Sequence, residues 1–227
     1  MKMKLYDQVI PGIFLHRPNR FIAHVETEQD EEICHVKNTG RCRELLVPGA
    51  RVYLSVSDNP ARKTRCDLIA VEKGGRLINM DSQAPNAAAM EAIPFLFPGA
   101  KLIRPECRFG DSRLDFYIET DQRKIFMEVK GVTLEEENVV SFPDAPTERG
   151  IKHLKELEKC IAAGYEAAVL FVIQMQNVKY FAPNRRTHPA FGDALKEAGE
   201  RGVHIMAYDC LVTPEGMQLR RPVEIRI

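Results

Sequence analysis

Residues 113–130 read Arg-Leu-Asp-Phe-Tyr-Ile-Glu-Thr-Asp-Gln-Arg-Lys-Ile-Phe-Met-Glu-Val-Lys, and both halves alternate polar with apolar. Side chains of a strand point to opposite faces with a period of two, so Arg113, Asp115 and Tyr117 are expected on one face and Leu114, Phe116 and Ile118 on the other. Glu128 and Lys130 likewise share a face, with Met127 and Val129 behind them. A hairpin with an even loop, at Asp121-Gln122 or over 120–123, sets Asp115 opposite Glu128 and Arg113 opposite Lys130. An odd loop shifts the pairing by one. Opposed Cβ atoms lie about 4.5 to 5.5 Å apart, where two carboxylates repel unless a cation or a shared proton lies between them.

Mg²⁺ and Mn²⁺ take carboxylate, carbonyl and water oxygens. Asp115, Glu128 and the Val129 carbonyl suit such an ion, and Glu106 on the preceding strand is a further candidate ligand. Lys130 is placed to act on an attacking water and to stabilise charge developing at phosphorus. In that reading Asp115, Glu128 and Lys130 are catalytic, and Glu106, Asp115 and Glu128 hold metal. The competing reading is an ordinary hairpin with solvated polar faces, and spacing alone leaves both open.

Working outward, residues 1–81 show short strands and turn residues but no sustained helical period: 21–26, 33–36, 51–57, 67–72 and 76–80. Gly74-Gly75 between the last two is a hairpin signal, because both positions take positive φ freely. This spacing fits a small OB-like β-barrel, and by fold analogy alone such a barrel is expected to bind nucleic acid. In residues 82–227, Asp81 and Ser82 offer N-caps to an alanine-rich helix, strands follow at 102–109, 114–119 and 125–133, and a helix spans about 148–163, closed by Gly164. That helix puts Ile151, Leu154, Leu157 and Ile161 on one face. The apolar run 167–173 reads as a strand covered on both sides. A helix near 190–201, a strand at 203–208 and a C-terminal hairpin turning at Pro214-Glu215-Gly216 complete an α/β (α+β) unit.

The 227 residues include 44% hydrophobic ones, enough for a core, and 32 basic residues balance 32 acidic, so any case for a polyanionic partner has to be local. No run approaches the roughly 18 apolar residues of a membrane span, and residues 1–9 lack a secretory core. A cytoplasmic protein without a membrane partner is expected, and nothing indicates a homo-oligomer. The six cysteines contain no CxxC pair, as expected of buried thiols in a reducing compartment.

At the level of motifs, His35-Val-Lys-Asn-Thr-Gly40, Ser57-Asp-Asn59, Glu106-Cys-Arg-Phe-Gly-Asp-Ser-Arg-Leu-Asp-Phe116, Glu128-Val-Lys130 and Phe142-Pro-Asp-Ala-Pro-Thr-Glu-Arg-Gly-Ile-Lys-His-Leu154 together resemble the sugar fermentation stimulation protein family, SfsA. Asp115 with Glu128-Val-Lys130 also resembles the pattern of PD-(D/E)XK nucleases. The resemblance implies an N-terminal OB-like domain, a restriction-endonuclease-like α/β domain and DNA binding. The family name reflects a regulatory phenotype in sugar metabolism and leaves the biochemistry open.

Between Val36 and Arg65 stand seven basic residues against two acidic ones. Lys37, Arg41, Arg43, Arg62, Lys63 and Arg65 are expected to contact phosphates, and Arg113, Arg149 and Lys152 to extend that surface. His153 also points toward the site if the N-terminus of its helix holds a phosphate. Phe21 and Tyr53 are candidates for base stacking, though single aromatics in strands are more often core. Three functions follow: a metal-dependent DNA nuclease, a non-catalytic DNA-binding regulator, or a protein-interaction module whose charges pair among themselves.

Overall fold

The computed structural model describes residues 3–38 and 40–227. Its first half holds β1 (Val9–His16), β2 (Ile22–Glu26), β3 (Glu31–Val36), β4 (Arg51–Val56), β5 (Cys66–Lys73) and β6 (Arg76–Asn79). Their order is β3-β2-β1-β4-β5-β6, and β3 also pairs in parallel with β5. Five strands therefore close on themselves into an OB-like barrel, which leaves no free edge among β1 to β5. Gly74 and Gly75 turn between β5 and β6 at φ 57° and 74°, as the glycine pair requires.

Strand β1 has no counterpart among the strands expected from sequence. Pro11 and Gly12 interrupt its pattern, yet the barrel needs a strand there, and β2 packs tightly on Gly12: a Cβ on it would lie 2.5 Å from Val25 Cγ1. The β1–β2 register also slips between Phe14 and His16, which marks a β-bulge.

The second half holds α1 (Ala84–Leu96), β7 (Leu102–Phe109), β8 (Ser112–Glu119), β9 (Lys124–Val132), β10 (Leu134–Glu136), β11 (Val139–Phe142), α2 (Glu148–Ala162), β12 (Glu166–Ile173), β13 (Tyr180–Pro183), α3 (Pro189–Glu200), β14 (His204–Thr213), β15 (Gly216–Pro222) and β16 (Glu224–Ile225). A mixed sheet runs β15-β14-β12-β9-β8-β7, and a small one runs β10-β11-β13-β16. Strand β12 lies parallel between β9 and β14, and residues 167–173 are all buried. Each such large apolar side chain contributes roughly 1.5 to 3 kcal/mol on burial. Helix α1 covers one sheet face through Ala88, Ala89 and Ile93, with Phe97 at its C-cap. Helices α2 and α3 cover the other, through Leu154, Leu157, Phe191 and Leu195.

Helix α2 starts where the sequence places it, with Thr147 Oγ1 accepting from the Gly150 amide at 3.0 Å. Helix α1 does not. Its N-cap is Gln83, without a side-chain cap bond; Asp81 stands two residues earlier, its Oδ1 accepting from the Gln83 amide at 2.9 Å and its other oxygen turned to the seam between the two halves. There Asp81 Oδ2 accepts from Tyr6 Oη at 3.1 Å and Lys37 Nζ at 2.7 Å. Gln174 Nε2 donates to the Asn79 and Asp81 carbonyls at 3.0 and 3.1 Å, and the Asn79 amide returns a bond to the Gln174 carbonyl at 3.0 Å. The chain start joins the α/β half: the Leu5 and Tyr6 amides both donate to the Glu215 carbonyl. No described helix is long and apolar enough to cross a membrane.

Candidate active site

Hairpin β8–β9 has the even register, pairing Glu119 with Lys124, Ile118 with Ile125, Tyr117 with Phe126 and Phe116 with Met127. The ladder ends one position before Asp115 and Glu128. Leu114 packs in the cluster beneath α2, and Phe116 in the cluster beneath α1, so the expected single face of Leu114 and Phe116 is not kept. Where the ladder stops, the Asp115 carboxylate takes up the main-chain bonding. Its Oδ2 accepts from the Val129 amide at 2.8 Å, and its Oδ1 from Asn86 Nδ2 of α1 at 2.8 Å. Asn86 had no signal in the sequence, because only the docking of α1 brings it to the site.

Glu128 is 3% exposed. Its Oε1 meets Lys130 Nζ at 2.5 Å and also His153 Nδ1 of α2. Its Oε2 is buried with no hydrogen-bond partner. Lys130 Nζ stands 3.4 Å from His153 Nδ1, and Arg149 Nε 3.4 Å from His153 Nε2. Glu128, Lys130, His153 and Arg149 thus form one connected group, which Asp115 feels through the charges of Glu128 and Lys130.

The two acids titrate in opposite directions. Burial, then the charge of Glu128, raises the Asp115 carboxyl above its ordinary value against the bonds from Val129 and Asn86. Burial pushes Glu128 up as well, but the His153 bond and the Lys130 ammonium outweigh it and hold the group below its ordinary value. An ion would fit this donor set. An orphaned carboxylate oxygen beside a second, repelled carboxylate is a hard, anionic environment of the kind Mg²⁺ or Mn²⁺ accepts.

Glu106 does not join them. At φ 52° it turns away and pairs with Arg113 at 3.1 Å, both side chains 69% exposed. The carboxylates of Glu106, Asp115 and Glu128 form no group within 4.8 Å. Arg113 accordingly lies on the surface with Glu106, not opposite Lys130.

The basic residues of the barrel divide in two. Arg62 forks onto Asp67, Arg65 pairs with Glu32 at 2.8 Å, and Lys37 is held by Asp81. These three neutralise acids brought near by folding. Arg41, Arg43 and Lys63 are exposed and form no ion pair among the described residues. Arg41 and Arg43 line an open cleft of about 560 Å³ together with Arg17 and Arg20, two residues that carry no motif in the sequence. Arg17 donates to the carbonyls of Asn19, Arg20, Asn38 and Arg41 and so fixes the cleft's loops. The Arg41 amide reaches Asp144 Oδ2 at 3.3 Å. Asp144 also lines a polar cavity with Gly131, next in sequence to Lys130. Lys152 is exposed at the start of α2. Phe21 is 53% exposed, and Tyr53 donates its hydroxyl proton to Glu72.

A closed OB-like barrel joined to an α/β unit with paired acids and a lysine on a central hairpin defines the class: an OB barrel followed by a restriction-endonuclease-like domain. Residues 15–80 match the SfsA N-terminal OB domain, and residues 83–216 the sugar fermentation stimulation protein RE domain. The chain belongs to the SfsA family. It is similar to the sugar fermentation stimulation protein homolog of Ruminiclostridium cellulolyticum, 56% identical over 98% of this chain and 99% of that protein. The homolog of Desulfitobacterium hafniense is 57% identical over 98% of each. Pyrococcus furiosus SfsA, solved in complex with Ca²⁺, superposes with a TM-score of 0.88 at 34% identity, covering 100% of both chains.

Proposed function

We propose that the chain is a divalent-metal-dependent nuclease acting on DNA phosphodiesters. The observation that carries this reading is the buried, unpartnered Oε2 of Glu128 beside the Asp115 carboxylate, with Lys130 at hand. The Ca²⁺ in the Pyrococcus furiosus relative supports a divalent ion, and the oxygen donors favour Mg²⁺ or Mn²⁺. Asp115 and Glu128 would hold the ion, which when bound lowers the pKa of a water and polarises the phosphate. Hydrolysis adds the water oxygen to phosphorus and breaks one P–O ester bond; the water gives up a proton and the departing oxygen gains one. Lys130 stabilises the negative charge that grows on the phosphoryl oxygens, and His153 holds Glu128 oriented. Arg149 and Lys152 at the start of α2, with Arg41, Arg43 and Lys63 of the barrel, hold flanking phosphates.

A second reading has one observation in its favour. Lys130 and His153 both engage Glu128 Oε1, so the acid is largely neutralised by the protein itself, as suits a DNA-binding regulator that cuts nothing. Labelled single- and double-stranded DNA incubated with Mn²⁺, Mg²⁺ or EDTA separates the two. Cleavage by wild type that is lost in EDTA and in Lys130→Ala supports the nuclease. Binding without any cleavage supports the regulator.

A further inference from the structure

A second group of ligating side chains lies on the barrel, away from the acids of the α/β half. We propose that His16, His24 and Glu31 form a binding site for a transition-metal ion of the Zn²⁺ class.

The argument starts from the bulge. Strands β1 and β2 pair Phe14 with Val25, and after the slip His16 pairs with His24. The two imidazoles then stack with ring centroids 4.2 Å apart. Glu31 reaches the same point from the next strand: it pairs with Glu26 while His24 pairs with Ile33, so Glu31 is the diagonal neighbour of His24. His24 Nδ1 and Glu31 Oε1 stand 2.5 Å apart. One ligand atom from each of the three residues lies within 4.8 Å of the others. No other set of three or more His, Cys, Asp or Glu side chains among the described residues meets that condition.

The chemistry selects the ion. Two imidazole nitrogens and one carboxylate suit Zn²⁺, Co²⁺ or Ni²⁺, whereas Mg²⁺ and Ca²⁺ prefer oxygen alone. A tetrahedral ion with bonds near 2.1 Å needs ligand atoms about 3.4 Å apart, so small side-chain rotations suffice, and the ion would replace the proton between His24 and Glu31. His16 and Glu31 are exposed and His24 half-buried, which leaves a fourth position to water. The surroundings favour a cation on one side: residues 26–32 include Glu26, Glu28, Asp30, Glu31 and Glu32. On the other, His16 borders the arginine cleft, so an ion that ties β1, β2 and β3 together would steady the Arg17–Arg20 loop.

The test uses full-length protein without a histidine tag, stripped with EDTA and dialysed, titrated with ZnCl₂ in a calorimeter and with CoCl₂ by visible absorption. Wild type is compared with His16→Ala, His24→Ala, Glu31→Gln and Asp115→Asn. The expected result is one Zn²⁺ per chain in wild type and Asp115→Asn, at least tenfold weaker binding in the other three, and a cobalt band that disappears in His24→Ala. Glu31→Gln keeps the side-chain size, so it reads the site even where a histidine variant folds poorly. Equal affinity in wild type and all three barrel variants would overturn the proposal. So would Zn²⁺ binding lost only in Asp115→Asn, which would give the ion to the acids instead.

Discussion

The Val129 amide donates to Asp115 Oδ2 at 2.8 Å, so a catalytic candidate on one strand completes the main-chain bonding of the next. Asn at 115 can keep this bond through its carbonyl, and its amide can face Asn86 once that side chain flips to offer oxygen.

Because burial and then the Glu128 charge raise the Asp115 carboxyl, its protonated form is the one the fold favours. That contribution is complete below the unfolded value near 4 and is lost as pH rises through the raised folded value, so at neutral pH the charge destabilises. Asp115→Asn should therefore stabilise the metal-free protein at pH 7 by about 0.5 to 2 kcal/mol, with the gap closing toward pH 4. Thermal melts across that range check it, and added Mn²⁺ should raise the wild-type midpoint but not that of the variant.

His153→Ala should act in the opposite sense. Despite burial, Glu128 is held low by His153 and Lys130, so its contribution is present above the ordinary carboxylate value and lost as pH falls through the lowered one. Removing His153 leaves Lys130 alone on Glu128 Oε1, at a cost of roughly 1 to 3 kcal/mol at neutral pH. Urea unfolding at pH 7 and in acid should show a deficit that shrinks on acidification.

Lys130→Ala should abolish metal-dependent cleavage and leave DNA affinity within a few fold, since one charge adds little to a surface that grips many phosphates. Cleavage assays and filter binding on one preparation measure both. Equal cleavage by variant and wild type would point to a contaminating nuclease.

Arg41→Ala, Arg43→Ala and Lys63→Ala combined should flatten the salt dependence of DNA binding, by about 0.9 in the log–log slope for each phosphate that the variant no longer neutralises. Arg62→Ala should behave differently, because its partner Asp67 is 8% exposed and would be left without its fork of donors. The expected effect is a drop in stability of about 1 to 2 kcal/mol, with the slope unchanged.

What could be read from sequence was whatever has a regular period. Burial of residues 167–173 and the stripe Leu154 and Leu157 with Ile151 and Ile161 packing beside it follow from local patterns, whereas the even register of β8 and β9 is one of two that the loop allows, and only the fold selects it. Strands β10, β11, β13 and β16 are two to four residues long, too short to display alternation. Charges misled for a different reason. Arg65 and Lys37 read as free cations because Glu32 and Asp81 become their partners only when distant segments meet, and Arg62 does so because its partner Asp67, five residues on, is brought under it by the turn into β5. Asp81 reads as a helix cap for the same reason: its burial against Tyr6 and Lys37 is a tertiary fact. Asp115 and Glu128 are visible as a pair, and His153 is named through the start of its helix, as a phosphate contact and not as the partner of Glu128 that it is; Asn86 comes from a helix on the other side of the sheet, and no spacing rule links it to the acids.

The bonds from the Gln174 side chain to the Asn79 and Asp81 carbonyls, with the Asn79 amide answering, mean that β6, paired onto the barrel through β5, is fastened to the residue that follows β12. A barrel fastened in this way does not swing like a tethered clamp. On the nuclease reading proposed above, DNA gripped at the arginine cleft would meet the acids at a set number of nucleotides from the grip, giving fragments of narrow length instead of a smear.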